Sequence, residues 1–271
     1  MTEVIEKQSS QELDRSHQNY GWLSRLRSYF VLDPLVWLYT VAFGAASIPF
    51  GFFDKDGSLL HAFARAWARL TMKTVLSPFK VTGLEDLDAS KATVYAVNHG
   101  SALDIPVLYA YLPFQFRIVF KKELLSYPIV GWHLTRSGQV CVDQQNPARS
   151  VGQIKSALRT LKKGMPLVIF PEGGRTSDGR IQPFMPGAFF LAIKAQVDVV
   201  PVALRGMYQL LPMDTYHIKP RPLEMRVGRP ISTMGLTGDD IEALSARVQR
   251  EVEALYYDSE ISRPPEPQPK S

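Results

Sequence analysis

Apolar and polar positions divide this chain into three regimes. Residues 1 to 20 contain no apolar run and mix charges of both signs (Glu3, Glu6, Glu12, Asp14, Arg15), which predicts a flexible tail and no secretory signal. From Pro34 to Phe53, PLVWLYTVAFGAASIPFGFF, 20 consecutive residues carry no charge, about the length that crosses a bilayer as a helix. Its aromatic content favours membrane contact over burial in a core. In the following LLHAFARAWARLTMKTVL, Phe63, Trp67 and Leu70 form one helical stripe, while Arg65, Arg69 and Lys73 recur every four residues on a nearly opposite face. Such a helix suits an anionic interface, or packs its stripe on the protein core. Lys and Arg are nearly balanced on the two flanks of the apolar run (Arg15, Arg25, Arg27 against Lys55, Arg65, Arg69, Lys73). The positive-inside rule then assigns no orientation, and a hairpin that dips into one leaflet is expected.

From about residue 80 the pattern alternates. Short apolar or β-branched runs at 93–97, 116–120, 139–143, 166–170 and 197–204 read as strands. Helices are expected at 105–112, 148–163 and 188–194, the second with a basic face from Arg149, Lys155, Arg159, Lys162 and Lys163. A last helix, 239–257, opens on a capping box of Thr237 with Asp240 and turns Ile241, Leu244, Val248, Val252 and Leu255 to the core. Strands buried on both faces and separated by helices predict an α/β fold: a mixed, largely parallel sheet flanked by helices, preceded by an N-terminal membrane-associated helical hairpin. The expected divisions are a flexible polar N-terminus at 1–28, a membrane-associated two-helix segment at 29–77, the α/β domain at 78–260 and a disordered, Pro-rich tail at 261–271.

Composition narrows the function classes. With 271 residues, 45% hydrophobic and 21% charged, the chain is a folded one and neither collagen-like nor coiled-coil. Its one cysteine, Cys141, excludes a disulfide framework, and no Cys/His cluster suits a structural zinc. Lys and Arg exceed Asp and Glu by 31 to 26, a net charge of +5 that suits anionic lipid, phosphorylated substrates or nucleic acid equally. Nucleic acid is disfavoured because no recognised binding motif is present and the basic residues lie beside membrane-type segments.

Two polar motifs follow predicted strands directly. TVYAV runs into Asn98-His99-Gly100-Ser101-Ala102-Leu103-Asp104, and PLVIF runs into Pro171-Glu172-Gly173-Gly174-Arg175-Thr176. On parallel strands of one sheet both sit at its carboxyl edge, where open α/β sheets bind ligands. On one continuous helix His99 and Asp104 would lie about 140° apart, so they must meet across the turn. There the carboxylate can accept from one imidazole nitrogen and leave the other to take a proton, a general-base dyad. The bland alternative is that Ser101 and Asp104 merely start a helix as a capping box. In the second motif Arg175 offers a planar fork for phosphate, and Gly173 and Gly174 let backbone approach a ligand. Glu172 is expected to orient Arg175 or to hydrogen-bond a substrate hydroxyl. No nucleophile elbow, Walker loop or metal cluster appears, so direct proton removal with anion positioning is the expected chemistry.

On these residues the chain resembles the glycerolipid acyltransferases. NHGSALD resembles their N-H-x4-D block and FPEGGRTSDGR their F-P-E-G-[ST]-R block; VVPVAL at 199–204 and FKKELLSYPIVGWHL at 120–134, with Lys122, Pro128 and Gly131 in matching places, resemble two further blocks. Coverage is about 78 to 230, and the family named is that of the lysophosphatidic acid acyltransferases. The resemblance implies transfer of an acyl group from a thioester, acyl-CoA or acyl carrier protein, to the free hydroxyl of lysophosphatidic acid, giving phosphatidic acid. It implies His99 as general base, Asp104 as its partner, and Glu172, Gly173, Gly174, Arg175, Lys122 and Asn98 as substrate-binding residues. It also implies no cofactor and no metal, a membrane-associated enzyme with its catalytic domain on the cytoplasmic side, and a membrane lipid surface as partner.

Two positions depart from the family pattern. Gln144 stands where an arginine usually assists phosphate binding, and Gly174 where a Ser or Thr is usual. Lys121, Lys122 or Arg149 is the expected compensating cation. The alternative readings are another lysophospholipid or glycerol phosphate as acceptor, a lipid thioesterase or hydrolase, and a non-catalytic lipid-binding protein.

Overall fold

The computed structural model describes residues 21–85, 87, 88, 91–143 and 150–257. The tail expected at 1–20, Gln144, Arg149 and the tail at 261–271 lie outside the described residues. Helix α1, Trp22–Gly51, starts well before the uncharged run and before residue 28, where the polar segment was expected to end. Two buried bridges explain the earlier start. The Ser28 hydroxyl donates to the Tyr216 carbonyl at 2.9 Å and accepts from the Ile218 amide at 2.7 Å, tying this turn to a loop 190 residues away. The helix widens to a π-turn over Ser28–Leu32, which brings Ser28 and Leu32 into the protein.

After a turn, helix α2, Ser58–Thr74, returns along α1: the Trp67 indole donates to Thr40 Oγ1 at 3.1 Å, and Phe50 and Phe63 rings lie 5.1 Å apart. The expected helical hairpin is therefore present. Its core stripe is offset from the expected one. Leu60, His61, Ala64, Ala68 and Met72 are buried, because small alanines let α2 approach the α/β domain closely, while Phe63, Trp67 and Leu70 are half-buried.

The sheet has seven strands: β1 Phe79–Thr82, β2 Val94–Val97, β3 Arg117–Lys121, β4 Val140–Val142, β5 Leu167–Ile169, β6 Val199–Arg205 and β7 Leu223–Val227, in the order β1-β7-β6-β2-β5-β3-β4. All neighbours are parallel except β6 and β7. Helices α3 Asp104–Tyr111, α4 Pro128–Arg136, α5 Ser150–Lys162, α6 Phe190–Ala195, α7 Met207–Leu210 and α8 Ile241–Tyr257 complete the fold. Alternation along β2 divides the core: Tyr95 and Val97 face α2 and α3, whereas Val94 and Ala96 face the layer of α5, α6 and α8. The capping box of Thr237 and Asp240 forms as expected, with the Thr237 amide donating to Asp240 Oδ2 at 2.7 Å, and Leu244, Val248, Val252 and Leu255 are buried below it. Strands β1 and β7 and helices α4 and α7 add to the elements expected from sequence. Because β2 and β5 are direct parallel neighbours, the two motifs that follow them emerge side by side.

Candidate active site

The first motif turns sharply between the end of β2 and the start of α3. Asp104, fully buried, collects three donors on one oxygen: the Gly100 amide at 2.8 Å, the Ser101 amide at 2.9 Å, and His99 Nδ1 at 2.8 Å. The Asp104 carboxylate thus touches both the backbone of the turn and the imidazole. Asp104 starts the helix by accepting the Ser101 amide, while the Ser101 hydroxyl accepts from Leu103 N at 3.2 Å, and the same carboxylate holds the imidazole. A carboxylate beside Nδ1 fixes the N–H there and leaves Nε2 as a lone pair. The His99 side chain is 18% exposed, enough to meet a substrate. Phe170 stacks on the imidazole face, ring centroids 4.1 Å apart.

The second motif is locked to the first through backbone. Glu172 Oε1 accepts from the His99 amide at 2.6 Å, Oε2 accepts from the Gln182 amide at 2.7 Å, and the His99 carbonyl accepts from Thr176 N at 2.9 Å. Glu172 thus holds the two loops together, one backbone amide on each carboxylate oxygen. Burial raises its carboxyl to about 7, and the two amides and His99 only partly offset this. Gly173 has φ +72°, a conformation that only glycine adopts without strain. At Gly174 a Cβ would lie 3.5 Å from Lys121 Nζ, so Lys121 reaches over the open backbone of this turn. Arg175 is exposed at the rim.

Two expected binding residues have other duties. Asn98 is 4% exposed and uses both ends of its amide on β6, donating to the Leu204 carbonyl at 3.1 Å and accepting from the Leu204 amide at 2.7 Å. It lengthens the β2–β6 pairing, which commits one N–H and one lone pair of the amide to the core. Lys122 pairs with Asp143 at 3.2 Å, and Lys121, one of the three cations expected to compensate for Gln144 and Gly174, is the lysine directed at the glycine turn. Phe170 also escapes the sequence reading, because at the end of PLVIF it reads as strand core; its place directly before the polar motif is the signal that could have found it.

An apolar cavity of about 260 Å³ opens beside the start of α3, the helix that carries Asp104. Ala102 and Ile105, on either side of Leu103 and Asp104, line it together with Phe43, Phe63 and Trp67 of the hairpin and Phe120, Leu124 and Ile129 of the domain. Its walls come from six elements, so no local motif announces it.

Residues 78–205 match the family model described as Acyltransferase. This segment belongs to the acyltransferase family. The acyltransferase segment has relatives of stated activity. A 1-acyl-sn-glycerol-3-phosphate acyltransferase of Limnanthes douglasii is 32% identical over 166 residues, 61% of this chain and 58% of that protein. The chloroplastic 1-acyl-sn-glycerol-3-phosphate acyltransferase BAT2 of Brassica napus is 36% identical over 165 residues, 59% of this chain and 46% of that one. The human 1-acyl-sn-glycerol-3-phosphate acyltransferase alpha is 29% identical over 178 residues, covering 65% and 63%. The chain spans about half to three fifths of the length of these curated relatives. The crystal structure of the 1-acyl-sn-glycerophosphate (LPA) acyltransferase PlsC from Thermotoga maritima shares the acyltransferase fold, with a TM-score of 0.70 over 86% of this chain and 95% of that one at 24% identity.

Proposed function

We propose that this chain transfers an acyl group from a thioester, acyl-CoA or acyl carrier protein, to the free hydroxyl of lysophosphatidic acid, forming phosphatidic acid. The observation that carries the reading is the 2.8 Å contact from His99 Nδ1 to Asp104 Oδ2 at the start of α3, where an apolar cavity opens. With Nδ1–H held, Nε2 takes the hydroxyl proton as the acceptor oxygen attacks the thioester carbonyl. The C–O bond forms, the C–S bond breaks, and the departing thiolate takes the proton back from His99. The cavity holds the acyl chain, and Lys121 and Arg175 meet the acceptor phosphate. Helix α1 is long and apolar enough to cross a membrane and is mostly exposed, which supports a bilayer beside the site; a cytoplasmic catalytic domain rests on the family resemblance alone.

The test is transfer of labelled acyl groups from each donor to lysophosphatidic acid in liposomes, with His99→Ala as control. Loss of about 10² to 10⁴ in turnover is expected, the range for a general base. A folded His99→Ala protein at full rate overturns the role of His99, and free fatty acid released without acceptor marks a thioesterase.

A further inference from the structure

The 3-10 turn Lys122–Ser126 and Tyr127 present an apolar surface that the dyad does not require. Residues 121 to 128 are all exposed, among them Leu124 at 40%, Leu125 at 39% and Tyr127 at 53%. The turn is built firmly. A Cβ on Gly131 would come within 2.7 Å of the Leu125 carbonyl oxygen, and the Gly131 amide donates to the Tyr127 carbonyl at 2.6 Å. Leu125 and Tyr127 are thus held outward on a firm support, with Leu124 between the surface and the cavity.

This surface joins the exposed side of the hairpin. Helix α4, which begins at the turn, lies along α1, with Ile129 against Gly44 and Trp132 against Gly51, and the Phe52 and Trp132 rings 6.3 Å apart. Trp37, Leu38, Val41 and Phe53 of this part of the chain are about half exposed or more. Leu124 also lines the cavity, so the turn forms part of its rim. Tyr127 beside Leu124 and Leu125 suits the headgroup layer of a bilayer, where tyrosines are enriched.

Resting on the acyl-transfer reading above, we propose that the turn Lys122–Ser126 with Tyr127 is a second bilayer contact, distinct from the hairpin, which holds the rim of the cavity in the lipid interface. A chain leaving the bilayer then enters the cavity past Leu124 without crossing water.

The test uses the full chain with Cys141→Ser as background. Leu125→Cys and Tyr127→Cys are labelled with an environment-sensitive fluorophore, alongside Phe53→Cys on the hairpin side and Lys163→Cys on the opposite layer. With mixed phosphatidylcholine–phosphatidylglycerol vesicles, positions 125 and 127 should shift to the blue and be quenched by lipid-borne quenchers, while 163 stays unchanged. A shift at 53 with none at 125 and 127 overturns the proposal and leaves the membrane hairpin standing. No shift at any position overturns the bilayer reading of the hairpin and this proposal with it, whereas acyl transfer in detergent is measured separately.

Discussion

Phe170 lies nearly flat against His99, ring planes 24° from parallel, so the imidazole is held by Asp104 at its edge and by Phe170 on its face. When His99 takes a proton, the imidazolium gains from the negative face of that ring by about 0.5–1.5 kcal/mol. Phe170→Leu keeps an apolar group of similar bulk and removes the ring. Its kcat is expected to fall about three- to tenfold at nearly constant acceptor KM. Single-turnover transfer from a labelled thioester checks this; an unchanged rate removes Phe170 from the catalytic machinery.

Glu172 makes stability depend on pH. Its carboxyl is raised by burial from 4.5 to about 7, so the folded protein keeps a proton that the unfolded chain has released between those values. Stability is expected to fall as pH rises through this window and to level off above it. Glu172→Gln removes that slope, and lowers stability because its NH₂ faces one of the backbone donors from His99 and Gln182. Denaturant titrations across the window measure both; a slope that survives in the variant has another source.

Lys121 and Lys122 are adjacent in sequence and differ in duty. Lys121→Ala and Arg175→Ala are each expected to raise the acceptor KM about ten- to a hundredfold, the loss of a charged hydrogen bond of roughly 1.5–3 kcal/mol, with little change in kcat. Lys122→Ala is expected to do less, because Asp143 already holds its ammonium. Steady-state kinetics on acceptors with and without a phosphate separate the three, and equal effects for both lysines would refute the assignment.

Asn98→Ala leaves the Leu204 amide and carbonyl without the partner they have in the core. The expected cost is about 1–3 kcal/mol, read as a lower melting temperature, with the acceptor KM unchanged in protein that remains folded. A raised KM at unchanged stability would return Asn98 to the binding site.

The strands that can be read from sequence are those buried on both faces, such as VYAV and VVPVAL, because continuous apolar character needs no knowledge of neighbours. Strands β1 and β7 cannot be read this way. FKVT and LEMRV carry Lys80, Glu224 and Arg226, and they are strands because they pair with each other across more than a hundred residues. The acidic Glu224 is accommodated there by Arg226 of the same strand at 2.9 Å and by Arg205 of β6 at 3.0 Å, the latter a contact between strands that local pattern does not reveal.

By itself, the sequence determined the parts that depend on short range. His99 and Asp104 meet across a strand-to-helix turn of five residues, in which the same carboxylate oxygen also satisfies the Gly100 and Ser101 amides. Both motifs stand at strand ends, so their joint position follows once the strands are parallel neighbours. Only the tertiary structure decided that Glu172 serves the His99 backbone, that Asn98 serves β6, that Lys121 and not Lys122 covers the glycine turn, and that a cavity opens beside the start of α3. Each of these depends on which buried polar group finds a partner, or which walls enclose a space, among segments tens to hundreds of residues apart, and hydrogen-bond satisfaction and packing are settled only when those segments meet.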